Sequence, residues 1–438
     1  MRFVTTRGQA PPVSFETALF DGLAPDGGLY VPETIEPWTA DELSRLPRRT
    51  LTEIALRALR PFTRGEIDPA TLEAVVVEAL NFPIPLVEVE PNVFALELFH
   101  GPTLAFKDVG ARVMARLMAV LHRAEEPLTV LVATSGDTGS AVAHACHRVP
   151  HTRVVILYPD GRVSPTQEAQ LTMFNGERGN VRAYAVSGSF DDCHRLTREV
   201  FGDADLRRSM RLTSANSVNV GRLLPQSVYY FHAVAQLSEA SRAAGVVFST
   251  PSGNFGNLTA GLLAKRAGLS IARFVAATNV NDVVPEYLAT GRFEPRPSVR
   301  TLANAMDVGH PSNFERMLWL YDGDLDAMRR DIAGIRHTDD DVRATIRRVY
   351  EERGYLLDPH SAIAYAGLKS SVASGASPAG PGVFLATAHP AKFAEIVDPI
   401  VGREMEKPAP LAQALARPRH IIRIGPSLDA VRAILTND

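Results

Sequence analysis

Lysine is scarce in this sequence and unevenly placed. Of 46 lysines and arginines, five are lysine: Lys107, Lys265, Lys369, Lys392 and Lys407. Lys107 is the only lysine in the first 264 residues, within ELFHGPTLAFKDVGARVMARLM at 97–118. Arginine stays protonated, whereas a desolvated lysine amine titrates readily and, once neutral, attacks carbonyls. Schiff-base formation is thus a task open to position 107 that arginine could not perform. Chance placement is the plain alternative.

Four further stretches carry ligand-binding chemistry. PSGNFGN at 251–257 lies between an apolar run and a helical pattern. Gly253 and Gly256 let backbone approach closely, and a helix start offers free N–H groups, a combination suited to phosphate. The spacing is G-x-x-G, not a dinucleotide fingerprint, and no P-loop lysine follows. A plain tight turn is the alternative. TSGDTG at 134–139 again joins a strand pattern to a helix, and its hydroxyls and amides would grip a carboxylate or phosphate. Ser135, Asp137 or Thr138 could equally be ordinary helix caps. NSVNVGR at 216–222 puts Asn216, Ser217, Asn219 and Arg222 within seven residues. That is anion-binding chemistry, or a capped helix start with a surface arginine. Thr387 closes the apolar run GVFLATA before His389 and Pro390. Lys392, in HPAKF, reads as a surface or helix-start residue.

These stretches need a scaffold. Apolar runs at 128–133, 153–158, 181–186, 246–250, 273–278 and 382–388 alternate with helical patterns. Such alternation predicts an α/β fold with mostly parallel sheets flanked by helices. Ligands in such folds bind at the carboxyl ends of strands, where these loops lie. Helical spacing over 38–60 and 68–80 marks a smaller N-terminal unit at 1–95, with Pro83, Pro85 and Pro91 as an extended linker. The catalytic part would be 96–438, with a smaller subdomain at about 128–240.

The chain has 438 residues, 45% hydrophobic and 22% charged, with net charge −3. No basic field for nucleic acid and no run of membrane-spanning length is present. The two cysteines, Cys146 and Cys193, give neither a disulfide framework nor a metal-ligand spacing. A cytoplasmic enzyme acting on a small molecule is expected, as a monomer or homodimer without metal. A reactive lysine, a phosphate cradle and anion-binding loops together fit pyridoxal 5'-phosphate.

HGPTLAFKD, ATSGDTGSA, SANSVNVGRLLPQ, PSGNFGN and ATAHPAKF, in this order, resemble the threonine synthase family, and residues 6–32 resemble its amino-terminal domain. The resemblance runs from about residue 5 to 400. It implies a fold-type-II pyridoxal-phosphate enzyme, a carbon–oxygen lyase acting on phosphate. It implies Lys107 as the Schiff-base lysine and Gly253, Asn254, Phe255, Gly256 and Asn257 as the cofactor phosphate cradle. Thr387 would meet the ring nitrogen. Ser135, Gly136, Asp137, Thr138 and the rest of that loop would hold the substrate carboxylate, and Asn216, Ser217 and Arg222 the substrate phosphate. Some members have Asn where Asp137 stands, which leaves its contact with the cofactor open. The implied reaction converts O-phospho-L-homoserine and water to L-threonine and phosphate. A phospho-lyase ending in 2-oxobutanoate, and a non-catalytic ligand-binding relative, are the competing readings.

Overall fold

Strands and helices alternate along most of the chain, and a computed structural model describes residues 1–134, 136–176 and 178–437. The strands are β1 (Phe3–Thr5), β2 (Tyr30–Pro32), β3 (Leu86–Glu90), β4 (Val93–Glu97), β5 (Leu128–Ala133), β6 (Thr152–Pro159), β7 (Val181–Val186), β8 (Arg211–Ser214), β9 (Val246–Pro251), β10 (Ile271–Thr278), β11 (Ile332–Arg336), β12 (Gly382–Ala386) and β13 (Ile422–Ile424). Six form one sheet in the order β11-β10-β9-β12-β4-β3, and five form a second in the order β13-β7-β6-β5-β8. All pairings in the second sheet are parallel. In the first, only β3 runs antiparallel, at the edge. The mostly parallel α/β fold read from the sequence is the one observed. β5, β9 and β12 are buried along their whole length, as strands covered on both faces must be.

The first 80 residues carry a two-stranded ribbon, β1 with β2, and helices that include Leu51–Thr63 and Pro69–Ala79. Thr50 and Glu53 form a reciprocal cap that starts the first of these. Phe3 packs against Phe15 and Phe62, and Trp38 stacks on Phe231 at 4.4 Å. This unit therefore shares one continuous core with the large sheet. The 83–91 stretch, expected as a linker, is instead the edge of that sheet. Pro83 and Pro85 precede β3, and Pro91 and Asn92 turn the chain into β4, with Asn92 left-handed at φ 62°. Residues 86–97 are hydrogen-bonded into the large sheet, across the boundary read at 95.

The C-terminal segment completes the small sheet. β13 pairs with β7, and Val431 and Leu435 of the helix Leu428–Asn437 join the core formed by Leu196 and Val200. No helix of the described residues is long and apolar enough to cross a membrane. The loops after β5, β8, β9 and β12 all leave carboxyl ends of strands.

Candidate active site

Lys107 owes its place to β12. Residues 98–106 run beside the end of that strand. Leu98 N–H donates to the Ala386 carbonyl (2.9 Å), Phe106 N–H to that of Thr387 (2.9 Å), and His389 N–H to that of Leu104 (3.0 Å). The helix Lys107–Leu121 begins at once, so the amine and Thr387 share one corner. Buried Asp108 fastens the turn, accepting from Thr103 N–H (2.8 Å) and Thr103 Oγ1 (2.7 Å). Gly101 is required there, because a Cβ would stand 2.5 Å from Asp108 Oδ2. Burial lowers the Lys107 amine to about 8; Asp137 opposes that shift, while Lys392 and Arg222 add to it. Among the described residues, none hydrogen-bonds or ion-pairs with Lys107 Nζ.

After β9, Ser252 N–H still donates to the Ala277 carbonyl (3.0 Å). The next five amides, of Gly253, Asn254, Phe255, Gly256 and Asn257, have no acceptor among the described residues. Phe255 is left-handed at φ 59°, which turns the chain into the helix Gly256–Arg266. The asparagine side chains brace this shape. Asn257 Oδ1 accepts from Ser252 Oγ (2.8 Å) and its Nδ2 donates to the Pro251 carbonyl (2.9 Å). Asn254 Nδ2 donates to Ser217 Oγ (2.6 Å) and its Oδ1 accepts from Ser312 N–H (2.5 Å). A Cβ at Gly253 would lie 2.7 Å from Met306 Cα, whereas one at Gly256 would meet nothing closer than 3.5 Å. Of the two glycines, packing demands only Gly253.

After β5, Thr134 Oγ1 accepts from the amides of Gly136 (3.0 Å) and Gly139 (2.9 Å). Capping thus falls to Thr134, while Thr138 is half-buried; Ser135 lies outside the described residues. Gly136 has φ 140° and no room for a Cβ against Gln167. Asp137 opens the helix Asp137–Cys146 and is buried. Its Oδ1 lies 2.9 Å from Lys392 Nζ. The surface reading of Lys392 is therefore corrected. Lys392 does sit in the short helix Pro390–Phe393, but it is 0% exposed and also donates to the Thr103 carbonyl (2.9 Å). Burial pushes the Asp137 carboxyl up, yet Lys392 and Lys107 outweigh it and hold the group well below the usual carboxylate range.

The 216–222 stretch divides. Asn216 Nδ2 donates to the Ala133 carbonyl at the end of β5 (2.9 Å), and Ser217 meets Asn254 of the amide loop. Asn219 is a helix cap, accepting from Gly221 N–H (2.8 Å). Arg222 is buried, not on the surface. Its Nη1 donates to the Ala215 carbonyl (2.6 Å), and its Nε finds no partner. Burial lowers this guanidinium to about 10. Among the described residues no carboxylate pairs with it, and a buried unpaired cation is costly unless an anion arrives.

Three features escaped sequence reasoning. Lys392 is one. Arg316 is another: fully buried, it donates to the carbonyls of Tyr30 (2.9 Å), Val218 (2.6 Å) and Ser217 (3.3 Å), tying the first unit to the 216–222 stretch. The third lies behind Thr387. Ser361 Oγ donates to Asp358, Thr387 N–H reaches Ser361 Oγ (3.3 Å), and His360 Nδ1 lies 2.7 Å from Asp358. The Thr387 hydroxyl itself has no recorded partner among the described residues.

The corner thus offers an amine without hydrogen bond or ion pair among the described residues, near the Phe106 ring at 5.7 Å, with five free amides at a helix start and a free hydroxyl, which fits pyridoxal phosphate. In agreement, the pyridoxal-phosphate dependent enzyme family matches residues 77–388. Fold and site define an enzyme of that class. Threonine synthase N-terminal and C-terminal families match 2–80 and 361–435. Threonine synthase of Haemophilus influenzae is 47% identical over 403 residues, covering 91% of each chain. The crystal structure of Escherichia coli threonine synthase superposes with TM-score 0.92 at 40% identity, covering 100% of both chains. PLP-bound threonine synthase from Brucella melitensis gives TM-score 0.92 at 40% identity, over 99% of this chain and 98% of that one. This chain belongs to the threonine synthase family.

Proposed function

We propose that the protein converts O-phospho-L-homoserine and water to L-threonine and phosphate, the last step of threonine biosynthesis, with Lys107 as the residue that carries the cofactor. The observation that carries this reading is the pair of separate anion positions around one amine: the amide loop 253–257 and the unpaired Arg222. A substrate that brings its own phosphate to a phosphorylated cofactor needs both.

Bound pyridoxal phosphate supplies an aldehyde for the amine and an electron sink for a carbanion beside the substrate nitrogen. The chain supplies the rest. The amides of Gly253, Asn254, Phe255, Gly256 and Asn257 bind the cofactor phosphate, and the helix behind them adds its positive end. The Thr387 hydroxyl would hold the ring nitrogen. Gly136, Asp137 and Thr138, with Ser135, orient the substrate carboxylate. Lys107 Nζ, lowered to about 8 by burial, is neutral often enough near pH 7 to take the proton from Cα and return it. Arg222, with Asn216 and Ser217, holds the departing phosphate and stabilises the charge that develops on it. Loss of a proton from Cβ expels the phosphate from Cγ, a proton is delivered to Cγ, and water then adds at Cβ.

Functional units would divide near residue 80, with the small subdomain formed by 128–214 and 422–435. The setting would be the cytoplasm, as a monomer or homodimer. Incubation with phosphohomoserine tests the activity. Threonine and phosphate released in equal amounts are expected; 2-oxobutanoate with ammonia in place of threonine refutes it.

A further inference from the structure

Lys392 is an unusual use of a rare residue. Its ammonium group is enclosed, and both recorded contacts belong to machinery around Lys107. One is Asp137, at the head of the helix that follows β5. The other is the carbonyl of Thr103, whose N–H and hydroxyl are held by Asp108, the neighbour of Lys107. Gln170 Nε2 donates to that same carbonyl at 3.3 Å, and Gln167 Nε2 reaches Asp137 Oδ1 at 3.4 Å. Asp137 acts on Lys107 through space, yet the two form no ion pair, and Asp137 Oδ1 lies against Lys392 instead.

We propose that Lys392 is a positioning residue that holds the Asp137 carboxylate off Lys107, so that the cofactor-bearing amine stays unpaired beside an anion. The inference rests on Lys107 carrying the cofactor. The charged groups around this centre come from five elements. Lys107 and Asp108 lie on one helix, Asp137 on a second and Arg222 on a third. Arg112 lies one turn along from Asp108, Lys392 and His389 follow the end of β12, and Asp358 and His360 start the helix Pro359–Ala373. Without Lys392, Lys107 would be the cation with the largest remaining effect on Asp137. The carboxylate would turn to it and keep the amine protonated. Attachment of the cofactor requires the neutral amine: its nitrogen replaces the aldehyde oxygen, which leaves as water.

The test measures the rate of pyridoxal-phosphate attachment to apoenzyme across pH, by absorbance. Borohydride reduction and peptide mapping come first: a label on Lys392 instead of Lys107 refutes the lysine assignment itself. With the label on Lys107, Lys392→Met should move the inflection up by roughly one pH unit or more. That shift slows attachment at pH 7 by about tenfold. Asp137→Asn should move the inflection down, and the double variant should bring it back towards the parent. An unmoved inflection in Lys392→Met overturns the positioning role. If that variant does not fold, Asp137→Asn decides: a downward shift supports the role and an unmoved inflection overturns it.

Discussion

Asp108 and Asp137 occupy nearly equivalent places. Each lies within the first two residues of a helix, at its positive end, and each is almost fully enclosed, 0% and 4% exposed. Burial pushes both carboxyls up, yet their net shifts run in opposite directions. Asp108 rises to about 6, because burial outweighs two hydrogen bonds from Thr103. Asp137 falls, because Lys392 and Lys107 outweigh the same burial. The Thr103 donors and the more distant charges of Lys392 and Arg112 offset only part of the loss of water at Asp108, whereas the ammonium in contact with Asp137, with Lys107, offsets all of it. One acid is a fastener for the turn before Lys107. The other is part of the charge arrangement that governs Lys107.

The comparison breaks hardest at Lys107. Lys107→Ala removes one of the positive groups acting on Asp137 and, on the proposed reading, the point of cofactor attachment. Turnover should fall by on the order of 10^4 or more, as when an enzyme loses its covalent nucleophile. Mass mapping after borohydride should find no labelled peptide at 107. Asp137→Asn comes next, since it leaves Lys392 enclosed without a counter-charge. Unfolding experiments should show a loss of about 3–5 kcal/mol. A loss no larger than that of Asp108→Asn would erase the distinction between the two acids.

Arg222 sharpens the picture from the cationic side. Asp108 acts on it through space without pairing with it, so its charge is left for a ligand. Arg222→Ala should lower kcat/KM for phosphohomoserine by about 2–5 kcal/mol while cofactor affinity holds. Loss of cofactor with substrate binding intact would place Arg222 in the scaffold. The amide loop is a region built without charge, and its sensitivity should be steric. Gly253→Ala should cost about 1–3 kcal/mol from the clash with Met306, and weaken cofactor binding. Gly256→Ala should fold with stability unchanged or higher by about 0.4–1 kcal/mol. Equal effects from the two would contradict the difference in packing between Gly253 and Gly256.

Much of this was legible in the sequence, and the rest was hidden for physical reasons. Lys107 stood out because lysine is rare and its neighbours form an ordered motif. The loops 134–139 and 251–257 were legible because strand, turn and helix signals are local. Lys392 was hidden because its meaning lies in contacts with Thr103 and Asp137, more than 250 residues away, and burial has no local signature for a single lysine. Arg316 was hidden because its partners are mainly backbone carbonyls, which any residue carries. The edge hairpin was misread because three prolines resemble a linker. They fall before β3 and in its turn, where no ladder N–H is needed. The C-terminal strand was passed over because three residues leave too short a pattern.

The smallest expected effect isolates Asp108 alone. Its folded-state carboxyl sits near 6, above the ordinary value of 3.8, so the folded protein binds more protons than the unfolded chain between those values. The stability this contributes is fully present below about pH 4 and is lost as pH rises through 6. Asparagine at 108 fits the same turn. Its amide oxygen can accept from Thr103 N–H, and its NH2 can donate to a rotated Thr103 hydroxyl. Asp108→Asn should therefore differ from the parent by about 1 kcal/mol or less at pH 4. It should gain on the parent as pH rises, since only the parent must bury a charge. Denaturant unfolding of both proteins from pH 4 to 8 reads this as a difference that changes through pH 6. Parallel stability curves would mean that Asp108 is compensated in the fold as fully as Asp137 is by Lys392.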